Sequence, residues 1–326
     1  MRTAPAVFLR GDGYPTFLLA FAVVVWGCTP RVTAVAGPHA EPLTLTMLRA
    51  APTALVLLIG LPLLRARLPR DPEAWLWTGV SGLLMVTVFL GGFTEAIIHA
   101  GPGNAIVLAT TAPFWVVLIS RIFLGQRASP RAMVGLVLGF TGVVLIVWSQ
   151  LGGDTGGGEL AAGMALALAA ALGWAIGTLV VKELMTRRPD TDAVGLTAGQ
   201  YLVGGVALLL ISVIAEGGDG AQWSSGTLWL AVAFISVVGS AFATLAYFGA
   251  LRRLSATRVT AWGFLSPVIA VLLEVALGHV PGPAVLVGMA VTIVGVVVVT
   301  TAPAPQSRVS RPRANAPGAA EQTHAP

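Results

Sequence analysis

Four ionisable side chains lie inside apolar stretches of this chain: Arg49, Glu95, Arg121 and Glu274. In hydrocarbon each costs about 2.5–3.5 kcal/mol or more unless it is paired or can reach the interface. Arg49 with Glu95, Glu274 or both is expected to form an ion pair that gates one side of a pathway, unless Arg49 contacts a substrate directly. Arg121, near the end of its stretch, reaches the headgroups by extending its stem. Glu95 and His99 stand four apart on one helix face, where the carboxylate either carries a coupling proton or sits solvated at an interface. Trp26, Trp115, Trp174, Tyr247 and Trp262 fall well inside apolar stretches. They either line an apolar cavity, with indole N–H and phenol O–H as polar handles, or pack helices together. Asn104, Thr110, Thr111 and Gln200 add neutral hydrogen-bonding groups. Four scattered histidines and a single cysteine, Cys28, point to no metal site and no internal disulfide, and no cofactor motif is present.

The elements that position these groups follow from composition. The chain is 56% hydrophobic and 10% charged, with a mean hydropathy of +0.85. Its apolar runs reach the roughly 20 residues a helix needs to cross a bilayer. An all-α integral membrane protein is expected, with ten spans near 16–36, 43–64, 74–97, 102–123, 131–150, 160–182, 195–215, 227–249, 257–277 and 283–302. Arg65, Arg67, Arg70, Arg127, Arg131, Lys182, Arg187, Arg188, Arg252, Arg253 and Arg258 all fall in loops of one side, joined by Arg2 and Arg10 in front and Arg308, Arg311 and Arg313 behind. The opposite loops carry Glu41, Asp154, Glu159, Glu216 and Asp219. The positive-inside rule therefore places both termini in the cytoplasm and the protein in the plasma membrane. The basic balance has its source in these loops, so no nucleic-acid partner is implied.

A segment occurs twice. LGQRASPRAMVGLVLGFTGVVLIV at 124–147 aligns with LGHVPGPAVLVGMAVTIVGVVVVT at 277–300, placing Gly125, Pro130, Gly135 and Gly142 on Gly278, Pro283, Gly288 and Gly295. Trp26 likewise answers Trp174, Arg49 answers Gln200, and Pro113 answers Pro267. Each copy ends a half of five spans, and an odd number of spans inverts the second half. The expected division is a cytoplasmic N-terminus at 1–15, a first repeat at 16–150, an extracytoplasmic glycine-rich linker at 151–159, a second repeat at 160–302 and a disordered tail at 303–326. The linker glycines lack a Gly-Lys-Ser/Thr context and are not a nucleotide loop. Pro113 and Pro267 free a carbonyl near the middle of equivalent spans, which marks symmetric helix breaks beside a midplane site. Gly135-x-x-x-Gly139 is a close-packing motif or a hinge.

With these residues in place the chain resembles the EamA-type members of the drug/metabolite transporter superfamily. The resemblance rests on Trp26-Gly27, Arg49, Ala112-Pro113 before Leu124-Gly125, and Ser266-Pro267 before Leu277-Gly278, and it covers about residues 16–302. It implies a non-enzymatic secondary transporter of two inverted five-helix repeats that moves small metabolites, often outward, without ATP. The chain departs from the family pattern at Gln126 and His279, where a Glu usually follows each Leu-Gly. Alternating access of two inverted repeats reaches the same function by a physical route. Its expected partners are a small amino-acid-like or amphipathic substrate, the lipid bilayer and a coupling proton or other ion, in a monomer or a homo-oligomer. The competing classes are a membrane-embedded enzyme on a lipid-linked substrate, for which no paired carboxylates are seen, and a channel or structural membrane protein, for which no continuous polar stripe is seen.

Overall fold

The computed structural model describes residues 13–148, 157–217, 220–278, 280–303 and 306–307. The expected N-terminal segment up to residue 12, most of the 151–159 linker, His279 and most of the tail lie outside these residues. Within them, ten helices are long and apolar enough to cross a membrane. They are span 1 (Gly13–His39), span 2 (Pro42–Leu63), span 3 (Pro72–Ala100), span 4 (Asn104–Phe123), span 5 (Pro130–Val147), span 6 (Gly158–Arg187), span 7 (Ala193–Glu216), span 8 (Gly226–Leu251), span 9 (Ala256–Ala276) and span 10 (Pro283–Thr300). Large apolar side chains cover the outside, with Ile214 83% and Leu230 77% exposed, as a lipid-facing surface requires. Several buried hydroxyls are satisfied within their own helices: those of Thr53, Thr78, Thr260 and Thr292 donate to the carbonyl four residues back.

The two inverted repeats interleave. Span 1 packs on spans 8 and 9, and its counterpart span 6 packs on spans 3 and 4. Span 2 lies against span 7, and span 5 against span 10. Each half is thus incomplete without the other. The span 5 and span 10 pair is the tightest, because both helices present glycine at the crossing. A Cβ on Gly288 would stand 2.8 Å from the Gly142 carbonyl, and one on Gly135 2.8 Å from the Gly295 carbonyl. Close packing, the first reading of the glycine motif, is what this helix pair uses.

Regular α-helix breaks down at equivalent places in the repeats. Span 3 carries π-helical pairing over Leu83–Gly91, and span 8 carries it over Val237–Phe242. Span 4 is interrupted at Thr110 and Thr111, immediately before Pro113 in the first turn of the next helix. Span 9 tightens into a 3₁₀ turn at Trp262–Phe264, just ahead of Pro267. Such departures free backbone carbonyls for other partners.

The loops sort into two faces. On one, Arg188 pairs with Asp71 at 2.6 Å and with Glu73 at 3.0 Å, joining the loop after span 2 to the loop after span 6. Arg252 donates to the Thr191 carbonyl, Arg258 to the Ala302 carbonyl, and the Arg253 guanidinium sits 4.9 Å above the Tyr14 ring. Gln126–Arg127 pairs antiparallel with Gln306–Ser307, so part of the region expected as disordered tail is strand-paired. On the other face, the loop after span 1 is zipped to the loop after span 7. His39 Nδ1 and Gln222 Oε1 are 2.8 Å apart, and the Glu41 N–H donates to the Gly220 carbonyl at 2.6 Å. Beneath them the Glu216 carboxylate caps span 2, accepting from the Leu43 and Thr44 N–H groups at 2.7 Å each. An acidic group at a helix N-terminus also meets the positive end of its dipole.

Candidate functional site

A cavity of about 920 Å³ opens between the repeats on the face opposite the arginine-rich loops. Its rim is residues 37–42 and 220–222, and its floor reaches Trp174, Gln200, Tyr201 and Thr244 deep in the bundle. The walls are mostly apolar, and Pro113 and Pro267, beside the breaks in spans 4 and 9, both line it. Below the floor the other half of the molecule is filled. Leu184, Met185, Leu251 and Val259 form a buried cluster there, and Lys182 Nζ donates to the Leu251 and Leu254 carbonyls at 2.6 and 3.0 Å.

Arg49 lines the cavity and is held by span 8. Its Nε donates to Ser240 Oγ at 2.7 Å, and its Nη2 makes a longer contact to the Gly239 carbonyl at 3.4 Å. Trp26 Nε1 donates to that same carbonyl at 3.0 Å. Both acceptors belong to the π-helical stretch, where the change of pairing register presents backbone groups sideways. From Trp26 an aromatic box extends. Trp26 and Trp174 meet edge to face at 5.4 Å, Tyr247 lies 5.4 and 5.2 Å from the two, and Phe89 is tilted over Trp174 at 4.6 Å. Tyr247 OH is 3.1 Å from Thr178 Oγ1 behind the box. The repeat counterpart of Arg49 behaves alike without charge: Gln200 Nε2 donates to Ser81 Oγ in span 3 at 2.7 Å.

Among the residues singled out from sequence, Trp26, Arg49, Thr110, Pro113, Trp174, Gln200 and Pro267 therefore share one cavity, with Tyr247 directly behind its aromatic wall. Others are elsewhere. Asn104 is spent on the Ala100 carbonyl at 2.7 Å and Thr111 on the Leu108 carbonyl at 2.6 Å, both within their own helical segment. Trp115 and Trp262 pack on the buried clusters and do not line the cavity, although Pro113, Thr260 and Gly263 beside them do, because their side chains lie on other faces of their helices. The Trp115 indole N–H is buried there without an acceptor among the described residues.

The expected ion pair of Arg49 with Glu95 or Glu274 is not formed in this conformation. Glu95 lies 3.4 Å from His99 on its own helix, and Glu274 is 3.6 Å from Arg31, which span 1 carries against span 9. With the cavity open, Arg49 turns to neutral acceptors of span 8 instead. Arg31 was missed as a candidate, although it lies near the same end of its span as Glu274, the signal that would have found it. Also missed were Phe89, Tyr201 and Thr244 in the cavity wall, which carry no sequence mark beyond an apolar context. Arg121 is exposed.

Ten spans, two inverted halves and a one-sided cavity define a polytopic membrane protein of the transporter class. The profile of the EamA-like transporter family matches residues 14–148 and again 161–301, and the chain belongs to that family. It is 29% identical over 286 residues to the uncharacterized transporter YvbV of Bacillus subtilis, covering 87% of this chain and 90% of that protein. It is 30% identical over 268 residues to the uncharacterized inner membrane transporter YedA of Escherichia coli K12, covering 81% and 83%. A solved crystal structure superposes with a TM-score of 0.73 over 88% of this chain and 96% of that one; at 24% identity this likeness concerns the fold alone.

Proposed function

We propose that this chain is a secondary exporter of small amphipathic metabolites, working by alternating access of its repeats at 16–150 and 160–302 in the cytoplasmic membrane, with both termini in the cytoplasm. The observation that carries this reading is the one-sided cavity between symmetric halves. The same interleaved packing, exchanged between the repeats, gives a second state of similar energy that opens to the other face. The cation-rich face supports the orientation, since Lys and Arg gather in cytoplasmic loops. The cavity open in this structure is then the extracytoplasmic, release-side state. Its energy source is an ion gradient or the gradient of the cargo itself, since the sequence holds no nucleotide-binding loop. The filled half around Trp115 becomes the inward pathway, where the orphaned indole N–H gains water or cargo as a partner. That relieves a cost of about 1–3 kcal/mol.

Counterflow in proteoliposomes tests this directly. Vesicles preloaded with unlabelled cargo should take up labelled cargo faster than empty vesicles. Chemical turnover of a lipid-linked substrate without counterflow overturns the reading.

A further inference from the structure

Arg49 is a cation deep in an apolar cavity, and the groups that hold it are neutral. Ser240 Oγ and the Gly239 carbonyl accept from Nε and Nη2, while Nη1 has no hydrogen-bond partner among the described residues. Neutral acceptors satisfy donors without cancelling the charge. Of the other titratable groups on the cavity wall, Glu41 and His39 belong to the rim, and Tyr201 on the floor turns its hydroxyl to Thr244 Oγ1 at 3.4 Å. Glu41 precedes Arg49 by eight residues, about 12 Å along the helix axis, too far to serve as its counter-ion. The repeat counterpart, Gln200, is neutral, so the deep site has one charge and not two. Beside that charge stands an aromatic corner: Trp26, tied to the same carbonyl as Arg49, then Trp174 set edge to face against it and Phe89 tilted over Trp174.

We infer that Arg49 is the anion-binding point of the cavity and that the cargo is an organic monoanion, one carboxylate on an apolar body that packs against Trp26, Trp174 and Phe89. The inference rests on the transporter reading and names its cargo class. A guanidinium presents a planar fork of donors that matches a carboxylate, and a bound carboxylate neutralises the site. Occlusion then encloses a paired charge instead of a bare one, so the loaded protein changes state more readily than the empty one.

The test uses three probes of one shape, 3-phenylpropanoate, 3-phenylpropanamide and 3-phenylpropylamine, titrated against the purified full chain by intrinsic tryptophan fluorescence. The wild type should bind the propanoate about tenfold or more tighter than the amide or the amine, the range of one charge-assisted hydrogen-bonded contact. Arg49→Gln should remove that preference with the amide's affinity changed less than about threefold, and Arg49→Lys should keep part of it. Equal binding of the three probes, no binding of the propanoate, or a preference that survives Arg49→Gln overturns the inference. Where Arg49→Gln fails to fold, the wild type still decides: the propanoate, and not the amide, should slow modification of Arg49 by phenylglyoxal, read by mass spectrometry, and equal protection overturns it. Chloride or acetate that displaces the propanoate at equal potency shows a site for any small anion and ends the organic assignment. Arg49-dependent binding without counterflow removes the transporter reading and leaves the site standing. Counterflow of the amide with no preference for the anion does the reverse.

Discussion

Trp26 and Arg49 donate to one oxygen, the carbonyl of Gly239, at 3.0 and 3.4 Å. Span 1 supplies the aromatic surface and span 2 the cation, and span 8, from the other repeat, fixes their spacing. Trp26→Phe keeps an aromatic ring but removes one of the two donors. Loss of a buried hydrogen bond is worth about 0.5–1.5 kcal/mol, so binding of 3-phenylpropanoate should weaken about two- to tenfold by fluorescence titration. Unchanged affinity assigns Trp26 to helix packing alone.

The two loop faces make a topology prediction. In a Cys28→Ala background, Gln222→Cys at the cavity rim should react with an impermeant maleimide added to intact cells. Arg188→Cys, beside Asp71 and Glu73, should react only after permeabilisation. Labelling of position 188 in intact cells reverses the orientation and with it the proposed direction of export.

Backbone contact between spans 5 and 10 leaves no room for a side chain at Gly142 or Gly288. Gly288→Leu should lower the melting temperature in detergent strongly or abolish monodisperse protein, since overpacking costs about 1–3 kcal/mol or more. Gly158→Ala, where a Cβ meets nothing within 4 Å, is the matched control and should be neutral or slightly stabilising. A Gly288→Leu protein as stable as the wild type would mean that the two helices separate without cost.

Glu216 accepts from two N–H groups at the start of span 2 and from Thr44 Oγ1 at 2.7 Å. Glu216→Ala removes the cap, and a loss of about 0.5–2 kcal/mol is expected. Thermal unfolding read by tryptophan fluorescence checks this; a midpoint equal to that of the wild type would show that water replaces the carboxylate at no cost.

Trp115 reports the other conformation. In the Cys28→Ala background, a cysteine at this position should be unreactive to a maleimide in the unloaded protein, and reactive during turnover from the side of the arginine-rich loops. Reactivity that ignores turnover would place Trp115 in a static core.

The sequence by itself determined the class, the number of spans, the inversion of the repeats and the gathering of Arg188, Arg252 and Arg258 on one face. These follow from composition, from the length of apolar runs and from the order of repeated residues, which are local or additive properties. It also marked Pro113 and Pro267, because a missing N–H acts wherever the residue sits. What Arg49 touches was decided only by the tertiary structure. Sequence logic paired it with a carboxylate of similar depth, yet depth along a helix does not say which way a side chain turns. The π-helical stretch of span 8 placed Ser240 and the Gly239 carbonyl within its reach, while His99 and Arg31 stood beside Glu95 and Glu274. Trp26 and Trp115 lie alike inside their spans in sequence, but one lines the cavity and the other is packed away. That difference belongs to the tertiary packing, because depth along a span does not say whether a side chain faces the cavity or a buried cluster.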